Sequence, residues 1–188
     1  MTDITHVSLR PVAEQLVKTF ESGGKLLLCG NGGSAADCAH ITGELVKGFK
    51  KRRPLPSTLQ AAIGTNRLQL GLPAIDLTAN SALIAAVNND QGGEYVYAQQ
   101  VMAYGHPGDA LIGISTSGNA KNVIWAVKAA KALGLYTVGM TGTSGGALET
   151  LCDLTLKSDE TETYLVQEDH LMFYHRLCLM IEEAMFAE

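Results

Sequence analysis

Four apolar residues, Leu26-Leu27-Leu28-Cys29, run straight into Gly30-Asn31-Gly32-Gly33-Ser34, and small and apolar residues at helical spacing follow as far as Leu45. An apolar run this short, broken by glycines, reads as a buried strand, so the stretch is strand, tight loop, helix. Glycines let backbone N–H groups approach a ligand, and the open N-terminus of the following helix carries unpaired donors and a partial positive charge. Ser34 adds a hydroxyl. Further along the same helix His40 and Glu44 stand four residues apart and share one face. An anion loop beside a carboxylate and an imidazole points to chemistry on a phosphorylated or polyhydroxylated molecule.

The rest of the chain has to supply the body of such a fold. At 188 residues it is long enough for one domain with a real core, spanning 1–188, and too short for a second independent domain. Hydrophobic residues make up 46% and charged residues 18%, which argues against disorder. A formal net charge of −5 speaks against broad nucleic-acid binding. The first residues, Met1 to His6, lack a basic stretch followed by an apolar block, and no run approaches ~18 apolar residues, so the expected location is the cytoplasm, away from membranes. Cys29, Cys38, Cys152 and Cys178 have no paired spacing; they read as small buried apolar residues, neither a disulfide framework nor a zinc ribbon.

In chain order, an amphipathic helix is expected over about 5–21, ending before Ser22-Gly23-Gly24. The helix of the glycine motif is expected to reach about Phe49. Lys47 to Pro56 then puts five of the 14 basic residues into the seven positions 47–53. It reads either as a solvated helix end and turn or as a basic lid that draws in an anion. Short strands are expected at 72–77, 110–114, 136–140 and 154–156, with helical stretches at about 81–87, 95–103 and 123–133 and a last helix over about 164–186. Strands alternating with helices, short and rich in Leu and Ile, suit α/β architecture with a parallel sheet covered on both faces. The strand–loop–helix units at Gly30 and Ser115 would form two lips of one crevice.

Ser115-Thr116-Ser117-Gly118-Asn119 offers three hydroxyls and free N–H groups at a helix start, which is what a phosphate monoester needs. No Gly-Lys-Ser/Thr follows the glycines and no G-x-G-x-x-G is present, so a nucleotide cofactor is not expected. On the last helix Gln167 and His175 differ by eight residues, about two turns and some 80° of rotation, and both can look toward one cavity. If that helix packs near the crevice, His40, Glu44, Gln167 and His175 make either a mixed N/O metal site or a general acid–base set. His6 and His106 read as structural or surface residues, and so, taken alone, does each of His170 and His175.

Gly30-Asn31-Gly32-Gly33-Ser34, His40-x-x-x-Glu44-Leu45, Asn89-Asp90, Ser115 to Asn119, Thr141-Gly142-x-x-Gly145-Gly146 and Gln167-Glu168-x-His170 together resemble the SIS (sugar isomerase) fold. More closely, they are similar to the sedoheptulose 7-phosphate, or phosphoheptose, isomerases. The resemblance implies a three-layer α-β-α sandwich with a five-stranded parallel sheet, flavodoxin-like, assembled as a homotetramer with sites at subunit interfaces. It implies substrate contacts at Asn31, Gly32, Gly33, Ser34, Glu44, Asn89, Asp90, Ser115, Thr116, Ser117 and Gln167. A zinc ion at His40, Glu44, Gln167 and His175 is implied as well, with Glu44 and His175 as the acid–base pair. The implied reaction takes sedoheptulose 7-phosphate to D-glycero-D-manno-heptose 7-phosphate through an enediol. Three departures stand out: Ala120 where the family's loop commonly has a further serine, Tyr164 where an acidic residue is usual, and a long stretch from Lys47 to Gly71. Another sugar phosphate is the nearest alternative, and a non-catalytic SIS sensor, or an adaptor of the bacterial replication initiator, is the alternative from another class.

Overall fold

The computed structural model describes residues 8–186. Within them β1 (Leu26–Cys29), β2 (Ala74–Asp76), β3 (Ala110–Ile114), β4 (Tyr136–Thr141) and β5 (Leu154–Lys157) form one parallel sheet in the order β2-β1-β3-β4-β5. The helices are α1 (Arg10–Glu21), α2 (Gly33–Val46), α3 (Ser57–Ile63), α4 (Ser81–Asp90), α5 (Val96–Tyr104), α6 (Lys121–Ala132), α7 (Gly146–Leu151) and α8 (Thr163–Met185). A 3-10 turn, Gly93–Tyr95, leads into α5. The three-layer α/β reading holds.

Side chains alternate across a strand, so each central strand feeds two cores. Leu26 and Leu28 of β1 join Ile112, Val138 and Met140 beneath α1, α2 and α8. Leu27 and Cys29 join Leu111 beneath α5, α6 and α7. Both faces are covered, which is why β1 and β3 are unbroken apolar runs. Gly113 lets α6 lie close, since a side chain there would meet Val123 at 2.8 Å.

Several boundaries differ from the sequence reading. Residues 5–7 of the expected first helix lie outside the described residues, and α1 starts at Arg10 with Pro11 in its first turn. Helix α2 stops at Val46, not Phe49, because Lys47 is extended and the chain turns back at once. The carbonyl of Leu45 accepts instead from Leu72 N–H at 2.9 Å and from Arg53. In contrast α4 outruns its expected end at Val87: Asn80 Oδ1 caps it by accepting Leu83 N–H at 3.0 Å, and Asn88, Asn89 and Asp90 are its last turn. The Lys47–Pro56 segment is not simply a solvated turn, since Arg53 is fully buried.

No helix among the described residues is long and apolar enough to cross a membrane. Leu28 sits fully buried in the middle of β1, between β2 and β3. Leu28→Ala should lose about 2–5 kcal/mol of stability, read as a lower denaturant midpoint at an unchanged slope.

Candidate functional site

Strand order reverses between β1 and β3, and there the two loops that follow these strands face each other. A cavity of about 410 Å³ lies between them, lined by Asn31 to Ser34, Ile114 to Ser117, Ala120, Thr163 and Gln167. An adjoining cavity of about 270 Å³ shares Thr116, Ser117 and Thr163 and adds Gly142, Thr143, Ser144, Glu160 and Thr161. Gly32 reaches φ +55° so that the loop can turn into α2. Gly33 has no side chain because the Gln167 amide occupies that space, with Nε2 only 2.5 Å from where a Cβ would be. The amides of Asn31 and Asn122 exchange hydrogen bonds across the crevice at 2.9 and 2.8 Å. Tyr97 donates to Gly30 O at 2.6 Å and ties the loop to α5. Gly142 N–H donates to Thr116 O at 2.8 Å, joining the loops after β3 and β4. The result is a polar trough of hydroxyls, amides and a helix start.

A second group of side chains lies along α2, against α8. The helices run side by side in the same direction: Gly33 meets Gln167, and His40 meets Tyr174 and His175. His40 Nδ1 bonds the Tyr174 hydroxyl at 2.9 Å, and its Nε2 faces Glu44 Oε1 at 3.3 Å. Glu44 Oε2 also accepts from Lys47 Nζ at 3.2 Å. The His40 and His175 rings pack edge to face with centroids 5.0 Å apart, and Phe49 stacks on His175 at 5.7 Å.

Burial and the neighbouring His40 lower the pKa of His175, and Glu44 partly offsets them. Neutral at pH 7, the imidazole can accept a proton. Asp37, three residues before His40, has its carboxyl pushed up to about 6 by burial, against the Tyr174 hydroxyl and His40, which pull it down. One of its oxygens, Oδ2, is buried without a hydrogen bond. If the single Tyr174 hydrogen turns toward Asp37, its oxygen accepts from His40 Nδ1–H. The His40 Nε2 lone pair then meets a carboxylate oxygen across 3.3 Å, an arrangement that a proton or a cation between them relieves. Two imidazoles and a carboxylate are suitable donors for zinc, and Tyr174 is the outer partner such a histidine requires. The donor chemistry fits, although no three His, Cys, Asp or Glu side chains among the described residues stand in a metal-binding arrangement.

The crevice brings together Asn31, Gly32, Gly33, Ser34, Ser115, Thr116, Ser117 and Gln167, and the α2–α8 groove brings together His40, Glu44 and His175. Gln167 and His175 do not share one cavity as their spacing allowed: only Gln167 lines the crevice, while His175 packs with His40 and Phe49. Asn89 and Asp90 are exposed at the end of α4, outside either cavity lining, with Asn89 Nδ2 bonded to Asp90 Oδ1 at 2.8 Å. Lys121 is exposed and lines neither cavity. His170 is structural: fully buried, bonded to Thr141 O at 3.2 Å and held neutral with its pKa down at about 4. Burial pushes all four thiols up, which suits their packing role. Sequence reasoning missed Asp37, Tyr174, Phe49, Asn122 and Thr163. Asp37 alone carried a signal, standing three and seven residues before His40 and Glu44 on one helix face.

The SIS domain model matches residues 4–142, most of the chain, and a crevice at the switch point of a 2-1-3-4-5 sheet, rimmed by glycine and serine loops, agrees with that class. Within that class the chain is 46% identical to the phosphoheptose isomerase of Roseiflexus sp. (strain RS-1) over 177 residues, 94% of this chain and 82% of the relative. Solved phosphoheptose isomerases of Neisseria gonorrhoeae and Francisella tularensis are each 34% identical, with TM-scores of 0.79 and 0.81. Each match covers 93% of this chain and 85% of the other. The chain belongs to the phosphoheptose isomerase family.

Asp37 makes stability depend on pH. The folded chain holds its proton more tightly than the unfolded one, so stability falls as pH rises from 3.8 to about 6 and is level above that. Asp37→Asn should therefore exceed the wild type by about 1 kcal/mol at neutral pH after allowance for solvent screening, with no gain in acid. Denaturant titrations across that range read the difference.

Proposed function

We propose that this chain is an aldose–ketose isomerase that converts sedoheptulose 7-phosphate to D-glycero-D-manno-heptose 7-phosphate in the cytoplasm. The observation that carries the reading is the packing of α8 on α2, which brings His175 to His40 and Glu44 on the helix that also starts the crevice. The Ser115–Ser117 loop offers hydroxyls and N–H groups to the phosphate, and the Gly30–Ser34 loop faces the sugar hydroxyls. His40 lies seven residues from Gly33, about 10 Å along the helix, so the sugar's reacting end extends from the crevice toward the groove.

Isomerisation moves one proton between neighbouring carbons. Glu44 takes the proton from C1 while His175 serves the C2 oxygen, giving an enediol. Return of the carbon proton to C2 and loss of the O1 proton complete the aldose. At a different step from its work as base, Glu44 would join His40 and His175 in holding a zinc ion, while Gln167, beside Gly33 in the crevice, is left to contact the sugar. When bound, zinc polarises the carbonyl and offsets the negative charge that builds on the oxygens. Tyr174 holds the His40 ring so that Nε2 is the nitrogen offered.

We propose further that the enzyme is a homotetramer. Helix α3 has no buried residue, and Leu59, Ile63, Leu68, Leu70 and Val46 around it are 38–53% exposed, a patch that a second copy would cover. In that assembly Asn89 and Asp90, which line neither cavity of their own chain, serve a neighbour's site.

Purified protein incubated with sedoheptulose 7-phosphate, with and without zinc, should form the aldose. Glu44→Gln and His175→Ala should each cut turnover by about 100-fold or more. No turnover under any metal condition would sink the substrate assignment, and full activity in both variants would sink the mechanism. Tyr174→Phe should weaken zinc binding about 10-fold or more, measured by competition with a chromophoric chelator.

A further inference from the structure

The basic segment that follows α2 is gathered by a single carboxylate. The N–H groups of Phe49, Lys50 and Lys51 donate to Glu182 at 2.9, 2.8 and 2.9 Å. Arg53 donates to the same group from Nε at 3.0 Å and lies 2.8 Å from it through Nη2. Arg53 also reaches the last carbonyls of α2, Leu45 O at 2.8 Å and Glu44 O at 3.4 Å. Both side chains are buried, so the segment has one seat and the chain cannot pass it in another register. Its first anchored residue is Phe49, and the Phe49 ring lies nearly parallel to His175, at 28° and 5.7 Å between centroids.

His175 is thereby enclosed by rings. Phe49 covers a face, while His40 and Tyr174 meet it nearly perpendicular, each at 5.0 Å. The outer torsion of a histidine has a broad minimum, so an imidazole without such walls turns freely through the angles that aim its nitrogens. We propose that Phe49 is a positioning residue for His175, and that Glu182, acting through the three N–H groups, holds Phe49 in place. The inference rests on the reading of His175 as the group that serves the sugar oxygens. It gives a positioning role to a segment whose basic residues read either as a solvated helix end and turn or as a lid.

The test reads the ring directly as well as through turnover. In protein labelled with 13C-histidine, the His175 ring signals, identified by their loss in His175→Gln, should carry the shift imposed by an adjoining aromatic ring. Phe49→Ala should remove the part of that shift due to Phe49, leaving what His40 and Tyr174 impose, and lower kcat about 10-fold with KM changed less than about 2-fold, because orientation and not substrate binding is lost. Phe49→Tyr, which keeps the ring, should restore both. Glu182→Gln should move the His175 signals in the same direction as Phe49→Ala; should that variant fail to fold, the Phe49 pair decides alone. Unchanged His175 signals, or an unchanged kcat, in folded Phe49→Ala would overturn the proposal. The signals are recorded without substrate, so a wild type that does not turn over sedoheptulose 7-phosphate would defeat the assigned reaction and leave the placement of His175 to be judged by its spectrum.

Discussion

The pair of Arg53 and Glu182 holds the two halves of the site in register. A buried guanidinium and carboxylate each forfeit hydration, and attraction alone seldom makes up for it. Here the carboxylate accepts three backbone N–H groups besides Arg53, and these together hold its pKa down although burial works to raise it. The fork donates to that carboxylate through Nε and to the end of α2 through Nη1 and Nη2. Removing one partner would leave the other charged and dry, which costs about 3–5 kcal/mol in such pairs. Since Arg53 touches the backbone of Glu44 itself, the pair fixes where that carboxylate begins its reach toward His40.

From this anchor the rest follows along two parallel helices. Gln167, then Tyr174 and His175, then Glu182 follow at about two-turn intervals on α8, and they meet Gly33 and His40 of α2 and then residues 49–53 of the segment beyond it. The lower end is a polar trough made by strand topology, while the middle is a small aromatic enclosure around two imidazoles. In the proposed reading an acidic protein takes a phosphate without a basic surface, through the backbone N–H groups and hydroxyls of the residues that line the trough.

Much of this was legible in the chain, for reasons that differ by element. The bounds of β1 and β3 were readable because both are apolar on two faces and end in glycine or serine. The crevice residues were readable because turns need particular residue types. The groove was only half readable: His40 and Glu44 lie within one turn, but their meeting with residue 175 depends on packing between distant segments. Arg53 looked like one basic residue among five, and nothing local distinguishes the one that is buried. Phe49 was placed on a helix since the periodicity continues, whereas the carbonyls there are claimed by Arg53 and Leu72. Asn89 and Asp90 were expected at the substrate, yet within one chain they stand exposed in the last turn of α4 and line neither cavity.

Gly33 and Gln167 share one volume, so the floor of the trough is a joint property of positions 134 residues apart. A methyl group at 33 and a shorter side chain at 167 exchange that space with no movement of the backbone. Room for the sugar can therefore be redistributed in small steps between two helices, through paired substitutions at residues that perform none of the proton transfers. A catalyst built this way can drift among sugars of different length while its chemistry stays unchanged.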